Sequence, residues 1–388
     1  MDFLQPFQLT PSNAHHFFGY YSICPWSKNQ RYYVCLESEF HHRMPKKGEK
    51  AKILLLDLKE DTVTILFETE AWNFQQGSML NWLPSSPNSI IFNDLNGDIP
   101  VSRIIDIRDK TIRSLPCAIS AVAHNRDLAL CLNYSRLRRN RKVVSYPSRR
   151  IHLKGHHPDN DGIFLMDLKT GEKHLIISLS QIWNSNPKTK QIPKEDIGKR
   201  ISKEFWFNHV EFNPSDERFF FLARYSNRIG QLVTSMWTIN IDGTDPYLLV
   251  DFGKKLSHFG WLNDTNLIVT MKQLKRIDKS HVILEDKKDK KGNPKVLAPK
   301  KLIRDGHPAI NPKGNLLATD SYPTKGKRYV YIVDMKSEEM FTVASFENPP
   351  HIDGNIRCDP HPRWNRDGTQ LSFDGLGPNG RQVYVINV

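Results

Sequence analysis

The sequence predicts an all-β fold, a seven-bladed β-propeller of four-stranded blades that spans residues 1–388 as a single domain. Three observations support this prediction. A short motif recurs seven times, its spacing is typical of one four-stranded blade per repeat, and the last repeat lacks a fourth strand that the N-terminus could supply. A pair of β-sandwiches would also show many short strands at regular spacing, but it would not explain the missing strand.

The recurring motif consists of an aromatic or apolar anchor residue, a short polar turn and an apolar strand. Its copies read CPWSKNQRYYVCL (24–36), LNWLPSSPNSIIF (80–92), AVAHNRDLALCL (121–132), VEFNPSDERFFFL (210–222), FGWLNDTNLIVT (259–270), PAINPKGNLLAT (308–319) and PRWNRDGTQLSF (362–373). The anchors are Trp26, Trp82, Ala123, Phe212, Trp261, Ile310 and Trp364. They lie 41 to 56 residues apart, except for the longer interval between Ala123 and Phe212.

The remaining strands of each blade follow the motif. Each hairpin precedes a strand that ends in a turn bearing Asp or Asn, as in KILLLDLKED and GIFLMDLKTGE. Six repeats then supply a last strand, such as TVTILFET or KHLIISL, whereas the seventh ends at RQVYVINV. Because a closed ring leaves no unpaired edge, we expect residues 3–10, FLQPFQLT, to complete the seventh blade.

Two segments interrupt the regular spacing. The long interval contains residues 133–161, which are dense in Arg and Lys, and we interpret them as an elongated loop of blade 3 that lies over one face. Residues 183–204 are polar and predict a partly helical or irregular connection into blade 4.

Composition and charge restrict the function classes. The formal net charge of +13 indicates a polyanionic partner, which could be nucleic acid, an anionic membrane surface or an acidic glycan. Nucleic acid is disfavoured because no recognised motif accompanies the basic run SRLRRNRK. No apolar run reaches the ~20 residues of a membrane span, and no secretory signal is seen, so we expect a cytoplasmic protein whose oligomeric state the sequence leaves open. The five cysteines are scattered and suggest buried thiols.

Four histidines share one position in the motif, three residues before the anchor. They are His209, His258, His307 and His361, in blades 4 to 7, whereas blades 1 to 3 have Ile23, Met79 and Ser120 at this position. The first strand of a propeller blade is innermost, so equivalent positions near its start surround the central channel. We expect the four imidazoles to face one volume that binds a divalent cation, Mn, Zn or Ca. Alternatively, each histidine packs beneath the following turn.

Neighbouring residues extend the candidate site. Cys358 and Asp359 precede His361 closely, and together with His258 and His307 these residues are the candidate metal ligands. The openings of blades 1 and 2 contain further polar residues that could reach the same face: His16, Tyr20, Tyr21, Gln75 and Gln76.

The motifs GHPAI, DPHPRWNRDGTQLSF and, more loosely, HHFFGYYSICPW resemble the oligogalacturonate lyase family of seven-bladed polysaccharide lyases with a metal in the central channel. The resemblance implies that His209 is the general base and that His258 is a metal ligand. It also implies that Asp359 and His361 stand where the family has two histidine ligands. Ile356 occupies the place of a glutamine ligand.

The predicted function is metal-assisted β-elimination on uronic-acid-containing oligosaccharides. The metal would stabilise charge on the uronate carboxylate, and His209 would take the proton, with Arg224 and Tyr21 as further catalytic candidates. His16, Gln75 and Gln76 are candidate substrate-binding residues. Arginines that could bind substrate carboxylates are Arg136, Arg138, Arg139, Arg228 and Arg363. The alternatives are another glycan-processing or glycan-biosynthesis enzyme, a hydrolase or a transferase, and a non-catalytic propeller that binds other molecules.

Overall fold

The computed structural model describes residues 5–148, 155–192, 204–227, 229–272, 279–286 and 294–388. Their strands form seven antiparallel four-stranded sheets in a ring, which confirms the predicted seven-bladed propeller. In blades 1 to 6 the four strands follow one another along the chain, so each blade is built outward from the channel.

The strands are short and regular. Blades 1 and 2 contain β2 (His15–Phe17), β3 (Tyr32–Ser38), β4 (Ala51–Asp57), β5 (Thr62–Thr69), β6 (Asn81–Trp82), β7 (Ser89–Asn96), β8 (Ile99–Asp106) and β9 (Ile112–Leu115). Blades 3 and 4 contain β10 (Ile119–Val122), β11 (Leu128–Cys131), β12 (Gly162–Asp167), β13 (Lys173–Ser178), β14 (Trp206–Phe212), β15 (Arg218–Ser226), β16 (Leu232–Asn240) and β17 (Tyr247–Val250). Blades 5 and 6 contain β18 (Leu256–Trp261), β19 (Asn266–Lys272), β20 (Lys279–Glu285), β21 (Lys295–Val296), β22 (Ala309–Ile310), β23 (Leu316–Asp320), β24 (Lys327–Asp334) and β25 (Met340–Glu347). Blade 7 contains β26 (Arg363–Trp364), β27 (Gln370–Gly377), β28 (Gly380–Asn387) and β1 (Phe7–Gln8).

The N-terminal strand closes the ring, as predicted. β1 pairs antiparallel with β28, with Phe7 opposite Val385. The backbone N–H of Leu9 donates to the carbonyl of Val383 at 2.8 Å. The hydroxyl of Thr10 donates to Oε1 of Gln382 at 2.7 Å, which extends the contact beyond the strand itself. The two ends of the chain therefore share one sheet.

The anchor residues of the motif join neighbouring blades. The indole Nε1 of Trp82 in blade 2 donates to the carbonyl of Pro25 in blade 1 at 2.8 Å. Trp261 in blade 5 donates in the same way to the carbonyl of Glu211, and Trp364 in blade 7 to that of Ala309. A buried indole needs a partner for its N–H, and here the partner lies on the preceding blade. The recurring aromatic is thus explained by packing between blades.

The described part of the basic insertion in blade 3 contains helices where the sequence predicts an elongated loop, and residues 149–154 of the predicted loop lie outside the described residues. The insertion contains the helix α1 (Tyr134–Asn140) and a 3-10 helix, Lys142–Val144. Asn133 caps α1 by accepting from the backbone N–H of Arg136 at 3.1 Å. The side chains of Tyr134 and Leu137 are buried, because the helix packs against the start of blade 4 and gains its stability there.

The connection into blade 4 begins with two helices, α2 (Leu179–Ser185) and α3 (Pro187–Lys190). The rest of the predicted irregular connection, residues 193–203, falls outside the described part of the chain. None of the helices described is both long enough and apolar enough to cross a membrane.

Candidate active site

Two of the motif histidines, His209 and His258, lie at irregular points of innermost strands, and the other two lie just before such strands. The pairing of β14 with β15 skips His209, which has a φ of +53°. The pairing of β18 with β19 likewise skips Ser257 and His258, and His361, just before β26, has a φ of +48°. Bulges of this kind point a side chain in a direction that regular pairing would not allow. Here they turn His209 and His258 out of the regular pairing of their sheets.

Three of the four imidazoles meet. The ring centroid of His307 lies 3.8 Å from that of His258 and 4.2 Å from that of His361. Tyr21 packs against this group, with its ring 5.0 Å from His307 and 5.7 Å from His361. The histidines from blades 5, 6 and 7 therefore form one buried cluster, which we call the histidine cluster.

Carboxylates fix two rings of the histidine cluster. Nδ1 of His258 lies 2.9 Å from Oδ1 of Asp305. Nδ1 of His307 lies 2.8 and 2.9 Å from the two oxygens of Asp320. Burial and the neighbouring His307 lower the pKa of His258. With Nδ1 bound to a carboxylate, each ring keeps Nε2 for another partner, as metal-binding histidines usually do.

Asp320 also ties two blades together at this point. Its Oδ1 accepts from the backbone N–H of His307 at 2.8 Å, and its Oδ2 from that of His361 at 2.9 Å. Burial raises the pKa of Asp320, but the facing His307 outweighs this and holds the pKa below its usual value. The ionised carboxylate is thus part of the site.

Asp359 faces the histidine cluster but is held by arginines. Its Oδ1 accepts from Nη1 of Arg328 at 2.6 Å, and its Oδ2 accepts from Nε of Arg357 at 2.6 Å. The same Oδ2 lies 3.9 Å from Nε2 of His361. In the described part of the chain, His307, Asp359 and His361 form a group whose ligand atoms all lie within 4.8 Å of one another.

The residues present suit a divalent cation. Nδ1 of His361 is buried without a hydrogen-bond partner among the described residues. His258 and His307 offer Nε2 atoms already oriented through their carboxylates. An unpaired buried imidazole nitrogen beside two oriented ones is the donor chemistry expected of a metal site.

His209 lies apart from the histidine cluster, with Tyr20 between them. Its Nδ1 is 3.1 Å from the hydroxyl of Tyr20, whose ring is 6.2 Å from His209 and 6.4 Å from His361. Burial lowers the pKa of His209 well below its usual value, and the charge of Arg224 lowers it further. The imidazole is therefore neutral at neutral pH and can accept a proton.

Cationic side chains surround His209. Arg224 is buried and donates from Nε to the hydroxyl of Thr234 at 3.1 Å. Burial, with the nearby charge of Arg141, lowers the pKa of Arg224 to about 9. Arg141 follows α1 in the blade 3 insertion, and its charge also acts on His209. The insertion thus places positive charge beside the site.

Several predicted site residues stabilise the fold instead of lining the channel. His16 lies between Glu37 and Gln382, with its ring nitrogens 3.1 and 3.0 Å from their oxygens. Arg363 is buried and donates from Nη2 to Asp374 at 2.7 Å. Arg136 is buried and ion-paired with Asp161 at 2.6 Å and with Glu204 at 3.1 Å. The ion pairs compensate the buried charges of Arg136 and Arg363, and both ring nitrogens of His16 are occupied, so the three side chains are not available to a substrate in this arrangement.

The remaining predictions have mixed outcomes. Gln75 donates to the carbonyl of Arg357 at 2.9 Å, and the side chain of Gln76 hydrogen-bonds Tyr20, so both reach the site through neighbours.

Cys358 is buried, and burial raises the pKa of its thiol to about 11. It is absent from the metal-ligand group found in the described residues. Arg138 lies in α1, and Arg139 pairs with Glu204 at 2.9 Å. Arg228 lies outside the described residues.

The structure places Tyr20, and not Tyr21, against His209. The hydroxyl of Tyr21, the predicted catalytic residue, accepts from the backbone N–H of Phe259 at 3.3 Å. The hydroxyl on His209 belongs instead to Tyr20. The neighbouring sequence positions could not separate the two, because the choice depends on which ring turns towards blade 4.

The sequence interpretation also missed residues around the histidine cluster: Asp305, Asp320, Arg328, Arg357 and Arg141. For Asp305 and Arg357 a signal existed, since each precedes a noted site residue by two positions and can lie on the same side of an extended segment. Asp320 is distant in sequence from His361, and the two meet only because blade 6 packs against blade 7.

Comparisons with known proteins support the fold. No protein-family profile matches the chain, and no curated protein matches it in sequence. A solved oligogalacturonate lyase in complex with manganese matches with a TM-score of 0.67 at 15% identity, covering 100% of this chain and 96% of that one. The chain has the fold of the oligogalacturonate lyases. The oligogalacturonate lyase from Vibrio parahaemolyticus matches with a TM-score of 0.65 at 10% identity and coverages of 100% and 98%.

The propeller also occurs in larger proteins of other chemistry. The tricorn protease matches with a TM-score of 0.55 at 9% identity, covering 100% of this chain but 34% of the protease. The oligogalacturonate lyases are instead matched over nearly their full length. Their likeness to this chain is a likeness of fold, and the chemistry has to be argued from the site.

Proposed function

We propose that the protein is a metal-assisted lyase that cleaves uronic-acid-containing oligosaccharides by β-elimination. The observation that carries the proposal is the pairing of a half-buried, neutral imidazole, His209, with a separate cluster of histidines, two of which are oriented by carboxylates. The fold shared with oligogalacturonate lyases is a second support. The basic composition, with a net charge of +13, agrees with an acidic substrate.

His209 has the properties of the base. β-Elimination removes the proton at C5 of the uronate, breaks the bond between C4 and the leaving oxygen, and forms a C4–C5 double bond, while the leaving oxygen takes a proton from water. In the tautomer in which Nδ1–H of His209 donates to Tyr20, Nε2 carries the lone pair that takes the C5 proton. The side chain of Gln76 also contacts the Tyr20 hydroxyl.

A divalent cation would be held by the histidine cluster, His258, His307 and His361, with Asp359 beside it. When bound, such a cation withdraws charge from the uronate carboxylate and thereby stabilises the anion that forms when C5 loses its proton. Asp305 and Asp320 keep their histidines in the orientation needed to hold it.

The arginines beside His209 stabilise negative charge. Burial is the main cause of the lowered pKa of the imidazole, and the positive charges of Arg224 and Arg141 lower the pKa further. An anionic uronate placed there would offset that charge, and it would raise the basicity of His209 once bound. Binding the substrate would thus prepare the base for proton transfer.

A hydrolase is less well supported by the same residues. Glycosidases use a carboxylic acid that is protonated at working pH, together with a second carboxylate. Beside the histidine cluster, His258 and Lys279 keep the pKa of Asp305 below its usual value although burial raises it, and His307 does the same for Asp320. Both carboxylates are committed to histidines and neither has the raised pKa of a general acid. Burial raises the pKa of Glu211 to about 8, but its carboxyl group accepts from the backbone N–H of Trp261 at 3.4 Å.

The test is a lyase assay with a panel of oligosaccharides of galacturonate and of glucuronate, followed by the ultraviolet absorbance of the unsaturated product. We expect product from at least one of them and, for His209→Ala, a fall in kcat of about 100-fold or more. Metal content should stay the same, because His209 is outside the histidine cluster.

The matched control is His174→Ala, which removes an exposed imidazole on β13 and should leave turnover and metal content unchanged. A His209→Ala protein that turns over at the full rate would remove His209 from the mechanism. Absence of unsaturated product from every uronate in the panel would refute the lyase itself.

A further inference from the structure

We propose that Asp359 is not a metal ligand, and that the cation is held by the three imidazoles of His258, His307 and His361, a ligand set that favours zinc over manganese or calcium. This inference rests on the metal dependence of the proposed function, but not on the reaction. Asp359 is a carboxylate close to the histidine cluster, and a carboxylate in that place would ordinarily be expected to bind the metal.

The contacts of Asp359 argue against ligation. Both of its oxygens are already bound at 2.6 Å by guanidinium groups, Oδ1 by Arg328 and Oδ2 by Arg357. The oxygen that faces His361, at 3.9 Å from its Nε2, is the one bound by Arg357. A cation bound to that oxygen would stand next to the Arg357 charge, and the two positive charges would repel each other in a buried site.

The ion pair with Arg328 also keeps Asp359 in its present position. The side chain of Arg328 is 3% exposed and that of Asp359 is 0% exposed. Nε of Arg328 donates to Asn348 at 2.8 Å, so Asp359 is the anion that balances its buried charge. Drawing Asp359 away to a metal would leave that charge uncompensated, which buried ion pairs do not tolerate.

The imidazoles, unlike the carboxylate of Asp359, have ring nitrogens that can bind a cation. His258 and His307 present Nε2 with Nδ1 already bonded to a carboxylate, and His361 has a buried Nδ1 without a partner among the described residues. His307 lies in the middle, in contact with both of the others. The ligand atoms of His307 and His361 already lie within 4.8 Å of each other, whereas His258 is outside that group. Binding of one ion by all three imidazoles therefore requires the His258 ring to move towards His307.

The ligand set determines which metal is preferred. Imidazole nitrogens suit zinc, and three histidines with an open fourth position are a known catalytic zinc arrangement. Calcium and manganese favour carboxylate and carbonyl oxygens. If Asp359 is bound to the arginines, the ligands that the described residues offer are imidazole nitrogens, because the carboxylates of Asp305 and Asp320 are occupied by His258 and His307. If Asp359 is a ligand, the preference for zinc is weaker.

The experiment measures metal binding by the full-length chain after removal of metal with a chelator. Zinc, manganese and calcium are titrated separately by calorimetry, and the visible absorption of the cobalt(II) form reports the ligand set. We expect one zinc per chain and no calcium binding. Asp359→Asn should weaken zinc binding by less than about tenfold and leave the cobalt bands in place, whereas His361→Ala should weaken it by about 100-fold or more.

Arg357→Ala gives an independent reading if Asp359→Asn does not fold. Removing this arginine frees Oδ2 of Asp359, so manganese binding should become tighter while zinc binding changes little. The inference is overturned if Asp359→Asn loses zinc as His361→Ala does, or if Arg357→Ala leaves manganese binding as it was. Neither readout requires turnover, so a failure of the lyase assay and a failure of this inference are distinguishable.

Discussion

At the scale of single residues, the channel contains one side chain whose pKa is lowered by burial and another whose pKa is raised by it. Burial lowers the pKa of His209, whereas two residues further along β14 burial raises the pKa of Glu211 to about 8. Glu211 lines a cavity of about 600 Å³ that is also bordered by Tyr20 and Met79. Consecutive channel-facing positions of one strand thus hold a neutral base and a protonated acid.

The raised pKa of Glu211 makes stability depend on pH. The unfolded chain releases this proton near pH 4.3, but the folded chain keeps it until about pH 8. Between these values the folded state binds more protons, so the free energy of unfolding falls as the pH rises. We expect Glu211→Gln to remove this fall and to raise the free energy of unfolding at pH 8 by about 1–3 kcal/mol, with little effect at pH 4.

Thermal unfolding of both proteins between pH 4 and pH 9 measures the difference. Glu172→Gln, which changes an exposed glutamate between β12 and β13, is the control and should follow the parent protein at every pH. Parallel curves for Glu211→Gln and the parent would mean that Glu211 titrates normally in the folded chain.

At the scale of elements, the site depends on where strands of blades 5, 6 and 7 begin. Asp320 ends β23 of blade 6, yet it binds the His307 ring and the backbone N–H of His361, which precedes β26 of blade 7. One carboxylate therefore sets the distance between two blades and the orientation of one ring. Bonds to such supporting groups commonly change metal affinity by about 10–100-fold.

Asp320→Asn tests this role. An amide cannot accept at both positions as the carboxylate does, so the His307 ring loses its fixed orientation. We expect zinc affinity to fall by about 10–100-fold, with the seven-bladed fold retained by circular dichroism. Asp242→Asn, in an exposed turn after β16, should leave zinc affinity unchanged. Zinc binding by Asp320→Asn at the parental affinity would contradict a supporting role for this carboxylate.

Features that repeat from blade to blade could be predicted from the sequence, whereas features that occur once could not. The anchors Trp82, Trp261 and Trp364 were visible because one requirement, an indole donating to the preceding blade, is repeated around the ring. The histidine positions were visible because they keep a fixed offset from those anchors. Asp320 and Arg141 have no repeated counterpart, and their approach to the site is created only when the blades pack together. The ion pairs of Arg136 and Arg363 could not be predicted because a buried ion pair leaves no trace in sequence spacing.

At the scale of the whole molecule, the ring is closed by a single short strand. β1 has two residues, and beyond it Leu9 and Thr10 continue the contact with β28. Blade 7 supplies His361 and Asp359, and blade 1 supplies Tyr20 and Tyr21, so the site lies at the junction that this strand closes. An unpaired β28 would also present a free edge for association.

Deletion of residues 1–10 tests whether closure stabilises the molecule. The deletion removes the hydrogen bonds of Leu9 and Thr10 and the apolar contact of Leu9, so we expect the free energy of unfolding to fall by about 2 kcal/mol or more. A synthetic peptide of residues 1–12 should restore the lost stability in a concentration-dependent manner, since it binds only the folded chain. A scrambled peptide of the same composition should not. If the shortened chain unfolds at the parental temperature, the pairing of β1 with β28 does not contribute to closing the ring.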